Sequence, residues 1–358
     1  MKSIYLILLG LFLTSGASAH LSHSPKISTW ATFLAPDFVI GTPPALKNQD
    51  FSLVAPAATE GCKERISKIT CALPSLESNH PCIPASDRAT ENIQSLYDVL
   101  PKPMQKMFCS IPRILIVEKM ESLAMAGINE NGKAFVVISK SLVEDNLAPN
   151  AVFTWKEQKA FGVQIPRFES LKEGPQIWSK SRSPQQTLQY VITHEFAHLF
   201  DFLNNANRFV CAPGKTCNMH PKNMEEALEY QRNVIPEMDS WSAYSWKNGL
   251  EPNDANNFPL WSKLCFYNCN ETLKLGDMFD FYLQLDRTNF VTTYAAVNPY
   301  EDFAESVTFY LMANADYDLQ YRIFTGKTFF FQEWKWSNLV KKHNWIELFF
   351  EGDLKYPQ

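Results

Sequence analysis

Residues 183–203 read Ser-Pro-Gln-Gln-Thr-Leu-Gln-Tyr-Val-Ile-Thr-His-Glu-Phe-Ala-His-Leu-Phe-Asp-Phe-Leu. The stretch opens with three helix-start signals: Ser183 as a cap, Pro184 at the first helical position and Gln186 three residues after the cap. Leu188, Val191, Ile192, Leu199 and Leu203 then continue an apolar face, so a helix is expected. Inside it lies His194-Glu195-Phe196-Ala197-His198. The two histidines are four apart and project from one side of a helix. Imidazoles so held can fill adjacent positions of a tetrahedral zinc shell. Glu195, one residue on, can take a proton from a water in the open position without becoming a ligand. With seven histidines in 358 residues, chance would produce H-E-x-x-H in roughly one such sequence in a hundred.

Two histidines do not complete a zinc site; a third ligand is required. The pattern H-E-x-x-H-x-x-G-x-x-H is excluded, because Asp201 stands at the Gly position and Asn204 at the third His. No Asp in a G-T-x-D context follows. A Glu on a second helix remains. Asn298-Pro299-Tyr300-Glu301 is a helix start, with an Asn cap and Pro in the first turn. Glu301 and Glu305 then share a face, with Phe303, Val307 and Leu311 on the apolar side. Glu301 can ligate the metal. Glu305, one turn on, can accept the free N–H of a ligating histidine and so fix its ring. His220, Glu225, Glu226 and Glu229 also follow the motif and stay open as alternative ligands, and His220 as an oxyanion-stabilising group.

Glu301-Asp-Phe-Ala-Glu305, followed by Ser-Val-Thr-Phe-Tyr-Leu-Met312, resembles the third-ligand helix of gluzincin metallopeptidases, above all the catalytic-domain family of anthrax lethal factor. Thr293-Tyr294 through Asn298 resembles that family's Tyr-containing segment, with the Tyr seven residues before the ligating Glu. The resemblance covers 183–202 and 293–312, with a faint echo at Lys327-Thr-Phe-Phe-Phe331. It implies a zincin-like fold and one Zn2+ per chain held by His194, His198 and Glu301. It further implies Glu195 as the base, Tyr294 as the group polarising the substrate carbonyl, and a protein or peptide substrate. In gluzincins an extended substrate commonly pairs with the strand edging the cleft, a role that Ala134–Ile138 could fill. One departure stands out. Between His198 and Glu301 lie 102 residues, more than twice the usual number, including four cysteines and Trp241, Trp246 and Trp261. They read as a disulfide-held insertion spanning about 205–290.

The rest of the chain sets the context. Lys2, the apolar run Tyr5–Leu13 and Ala17-Ser18-Ala19 have the order of a secretory signal peptide cleaved after Ala19. The expected product is secreted or periplasmic, with no membrane insertion after cleavage. Eight cysteines form two groups of four: Cys62, Cys71, Cys82 and Cys109, then Cys211, Cys217, Cys265 and Cys269. An even count in an exported chain reads as disulfides within each group, and neither group has the C-x-x-C pairs of a structural zinc site. Lys plus Arg is 33 against 38 for Asp plus Glu. Without a basic run, this acidic balance speaks against a nucleic-acid partner.

Half of the 22 prolines fall between Pro25 and Pro112, so 20–85 reads as a loop-rich, cysteine-containing lobe without helical periodicity. Ile93, Leu96, Val99 and Leu100 mark a helix that stops at Pro101. Arg113–Glu118 and Ala134–Ile138 read as strands, the second after an Asn131-Gly132 turn. The fold class expected is α+β: a small mixed sheet on the motif helix in a zincin-like domain over 86–358, helical from about residue 272. The expected activity is that of an exported zinc metalloendopeptidase using a zinc-activated water with Glu195 as general base. A zinc hydrolase of a non-peptide or cell-wall amide, and a non-catalytic binding protein on a peptidase scaffold, are the alternatives.

Overall fold

A computed structural model describes residues 61–76, 81–120, 122–128, 133–145, 156, 159–162, 174–178, 185–218, 224–266, 273–314, 320–324, 328–331 and 337–351. The expected signal segment, residues 20–60, the expected turn at Asn131-Gly132, and Ser183, Pro184, His220, Cys269 and Lys327 lie outside them. The described elements are mixed α and β, and they divide into two compact units. The first takes the described residues before 147 with Val191–Asn205 and Cys217–Tyr230. The second takes those of Leu147–Tyr190, Ala206–Thr216 and Gln231–Gln358.

In the first unit, β1 (Thr70–Ser75), β2 (Ile83–Pro84), β3 (Ile114–Lys119), β4 (Ala124–Ile128) and β5 (Ala134–Ser139) form a mixed sheet in the order β2-β1-β3-β5-β4. β1, β3 and β5 run parallel and the two outer strands antiparallel. The central strands are unbroken apolar runs because both their faces are covered: Ile114 to Val117 and Phe135 to Ile138 are all buried. The expected strand at 134–138 is therefore present, but it is paired on both sides. The edge beside it is Ala124–Ile128, whose Ala, Met and Gly residues carry little strand propensity.

Helix α1 (Cys62–Ile69) precedes β1, and α2 (Asp87–Val99) and α3 (Lys102–Ser110) precede β3. Ser86 caps α2 by accepting from the Ala89 N–H, and the helix ends before Pro101 as its spacing predicts. Residues 62–85, expected to be loop-rich, instead carry α1, β1 and β2. The buried side of α1, formed by Cys62, Arg65, Ile66 and Ile69, spans only two turns, too short to stand out beside the prolines. Disulfides Cys62–Cys109 and Cys71–Cys82 stay within the first cysteine group, as expected. Arg65 strengthens the same joint, its Nη1 and Nη2 donating to the carbonyls of Cys109 and Ile111. Cys211, Cys217 and Cys265 are also disulfide-bonded. Such bonds point to an oxidising compartment, and no described helix is long and apolar enough to cross a membrane.

The second unit surrounds a buried helix, α8 (Pro299–Asn314), numbered after α4 (Lys140–Glu144), α5 (Gln185–Asn204), α6 (Met224–Asn233) and α7 (Met278–Leu285), and followed by α9 (Val340–Glu351). Three strands, Gly174–Trp178, Gln320–Phe324 and Thr328–Phe331, make an antiparallel sheet with the second in the middle. The C-terminal part is therefore not wholly helical; the aromatic run Thr328–Phe331 favours extended backbone. Trp241, fully buried, meets Phe303 and Trp345 edge-on, each at 5.4 Å. Aromatic rings of this size dominate the core they enter. The long segment after the motif thus supplies part of this unit's core.

Loop 244–257 is knitted by amides. The Tyr244 carbonyl accepts from Asn253, Asn256 and Asn289 side chains at 3.2, 3.3 and 3.0 Å. Asn248 Oδ1 accepts from the N–H groups of Leu250 and Glu251, while the Gly249 N–H donates to the Gln231 carbonyl at 2.9 Å. A Cβ at Gly249 would lie 3.0 Å from Gln231 Cβ and 3.2 Å from its Cα, so this close approach requires glycine.

Candidate metal centre

The motif helix α5 runs for 20 residues. Its residues from Thr187 to Leu199 are all buried, so the helix is enclosed rather than one-sided, which suits a segment apolar around most of its girth. It ends at Asn204, and the next residue, Asn205, has a φ of 55, the left-handed conformation common just past a helix end. One turn apart on α5, His194 and His198 present their Nε2 atoms to each other at 3.2 Å. Their rings stand edge-to-face with centroids 4.8 Å apart, and Phe202, a further turn on, stacks on His198 at 6.0 Å.

Glu301 sits in the first turn of α8. Asn298 caps that turn: its Oδ1 accepts from the N–H groups of Tyr300 and Glu301, each at 2.9 Å, as an Asn-Pro helix start predicts. His194, His198 and Glu301 are all buried, and one ligand atom from each lies within 4.8 Å of the others. They form a group able to hold a metal ion. Two imidazole nitrogens and a carboxylate oxygen are the donors that divalent transition metals favour. Among the described residues no other set of three His, Cys, Asp or Glu side chains meets in this way. Of the alternative ligands, Glu225 and Glu229 are exposed on α6, and Glu226 accepts a hydrogen bond from Asn218 at 2.8 Å.

Glu195 and Tyr294 are both buried, at 4% and 2% exposure. Tyr294 meets the edge of Phe266 with ring centroids 4.9 Å apart. Glu305, with no exposure, receives the Thr292 hydroxyl at 2.7 Å, and the Tyr190 hydroxyl stands 2.9 Å from both its oxygens. Lys156 Nζ approaches Glu305 Oε1 at 2.5 Å and lies over the rings of Tyr190 and Tyr294, 5.1 and 4.7 Å from their centroids. Sequence reading passed over Lys156, because its partner lies 149 positions away and a lone Lys beside Trp155 carries no pattern. Comparison of the chain with protein-family models, with curated proteins and with solved structures gives no match.

Proposed function

We propose that this protein is an exported zinc-dependent metalloendopeptidase of the gluzincin type. The observation that carries the reading is the 3.2 Å between the Nε2 atoms of His194 and His198, with Glu301 alongside. Two nitrogens bound to tetrahedral zinc at about 2.0–2.1 Å stand about 3.3 Å apart. His194, His198 and Glu301 would hold the ion. When bound, it supplies Lewis acidity, lowering the pKa of a water and polarising a carbonyl.

The chain's own residues do the rest. Glu195, next to His194 and enclosed, accepts a proton from the attacking water and returns it to the leaving amine. A carboxylate serves this purpose because its two protonation states are close enough in energy to shuttle a proton within one turnover. Tyr294 donates its O–H to the carbonyl oxygen as negative charge develops there, and a donor already fixed in place needs no reorganisation. Glu305, which receives the Thr292 and Tyr190 hydroxyls and Lys156, is the acceptor proposed to orient a ligating histidine. Lys2 to Ala19 and the disulfides support export.

The test is metal content followed by cleavage of casein, an unstructured protein. Protein purified without chelator is expected to hold about one zinc per chain and His198→Ala none, because two protein ligands rarely retain the ion. Glu195→Gln is expected to keep zinc and lose about 10²–10⁴-fold in cleavage. A zinc-free wild type overturns the reading, as does Glu195→Gln cleaving at the wild-type rate. Zinc binding without peptide cleavage would put the amide-hydrolase or binding-protein alternatives in its place.

A further inference from the structure

Lys156 is a buried cation, close to Tyr294, that the mechanism above leaves unused. Its side chain is 5% exposed and its partner Glu305 is wholly enclosed. A flexible ammonium is seldom buried unless it is paired, and Lys156 has both Glu305 and the Tyr190 hydroxyl, 3.5 Å from Nζ, as polar partners. It also lies over two aromatic rings, with Tyr294 the nearer at 4.7 Å. Tyr294 is thus gripped by Phe266 edge-on at 4.9 Å and by an ammonium that Glu305 holds at 2.5 Å.

We propose that Lys156 is a positioning residue for Tyr294. It locks the ring orientation, and with it the direction of the phenol O–H, through a cation–π contact whose own position is set by Glu305. The ring's negative face attracts the ammonium, so tilting the ring away from Lys156 forfeits that attraction. The positive charge also withdraws electron density from the ring, which makes the O–H a stronger donor to a developing oxyanion. Thr292, two residues before Tyr294, donates to the same Glu305 carboxylate, so the backbone leading to Tyr294 is tied to the same anchor. The catalytic consequence rests on the peptidase reading above; the positional one does not.

The experiment has two arms. In the first, metal-free protein labelled with 3-fluorotyrosine is examined by 19F NMR, the Tyr294 signals being those that vanish in Tyr294→Phe. Wild type is expected to show two separate signals, one for each position of the fluorine on a ring that flips slowly. Lys156→Met is expected to merge them and Lys156→Arg to keep them apart. A single averaged wild-type line, or two lines that survive in Lys156→Met, overturns the proposal whatever the protein catalyses.

In the second arm, zinc-loaded variants are assayed on casein. Lys156→Met is expected to lower kcat about tenfold, the order of a desolvated cation–π contact, with KM and zinc affinity unchanged. In the Tyr294→Phe background the same change is expected to cost nothing further, and Lys156→Arg to restore most of the rate. Losses that multiply, or a parallel loss of zinc affinity, mean that Lys156 acts elsewhere and overturn the proposal. Should Lys156→Met not fold, Lys156→Gln, which removes the positive charge but keeps a donor for Glu305, is put through the same two arms. A wild type that cleaves no casein refutes the peptidase reading alone, and the NMR arm then decides Lys156 by itself.

Discussion

Lys342 and Asp302 form an ion pair from which solvent is excluded: Nζ lies 2.5 Å from Oδ1 and both side chains are 0% exposed. Lys342 comes from α9 and also donates to the Asn289 carbonyl at 2.8 Å. Asp302 follows Glu301 in the first turn of α8 and accepts from Trp246 Nε1 at 3.1 Å. Trp241 and Phe290 lie against the ammonium, their ring centroids 5.0 and 5.2 Å away. Burial pushes the carboxyl up and the ammonium down in pKa, against the attraction and hydrogen bonds between them.

Breaking such a pair is costlier than deleting it. Lys342→Met leaves the Asp302 carboxylate buried without its counter-charge and is expected to cost about 3–5 kcal/mol of stability. Adding Asp302→Leu is expected to recover most of that loss, because an apolar pair of similar volume avoids the desolvation penalty. Urea unfolding of the three proteins gives both numbers. A double variant as unstable as the single one would mean that Trp246 and Asn289 depend on the charges.

The third ligand is open to a direct comparison. Glu301→Ala is expected to strip zinc, while Glu225→Ala and Glu229→Ala, altering exposed carboxylates, leave it in place. Elemental analysis of the three variants decides this. Zinc lost from an α6 variant and kept in Glu301→Ala would move the ligand to α6.

The two disulfides of the first unit close loops of different length. Cys62–Cys109 spans 47 positions and Cys71–Cys82 spans 11. On chain entropy alone, replacing the first pair by Ala is expected to cost about 4 kcal/mol and the second about 3 kcal/mol. Denaturant midpoints of the two double-Ala variants test the order. The reverse order would show that native packing around each bridge outweighs loop length.

Tyr230 gives the protein an alkaline weak point. Burial pushes its phenol pKa up from 10.0 to about 12. The folded state therefore favours the neutral form, and the stability this provides is complete below pH 10 and is lost as pH rises through 12. At most about 2–3 kcal/mol is involved, from two pKa units. Tyr230→Phe is expected to lose stability less steeply than wild type between pH 10 and 12, measured by chemical unfolding at several pH values. Parallel curves would show that the phenol does not titrate on unfolding.

The residues of the candidate centre were legible because helical spacing places them. His194 and His198 share a face by being four apart, and Asn298-Pro299 announces the turn that carries Glu301. The strands at 114–119 and 134–139 declared themselves as apolar β-branched runs. The antiparallel edge Ala124–Ile128 did not, since small residues in a five-residue strand leave no period to detect. Lys156 and Lys342 were illegible for another reason. Their partners Glu305 and Asp302 are 149 and 40 positions away, and a charge pattern reports only on neighbours. Trp241 and Trp246 read only as part of a disulfide-held insertion because no periodicity surrounds them, whereas the fold buries both.

Asn248-Gly249 is the dipeptide that ages fastest in an unfolded chain, where the glycine amide nitrogen attacks the asparagine side chain and expels ammonia. Here both partners are restrained: the Gly249 N–H points to Gln231, and Asn248 Oδ1 is held by Leu250 and Glu251. The cyclisation needs the side chain to swing onto that nitrogen, which means opening both sets of bonds. The chemical lifetime of the loop is therefore set by how often it unfolds, and the amide network acts as its preservative.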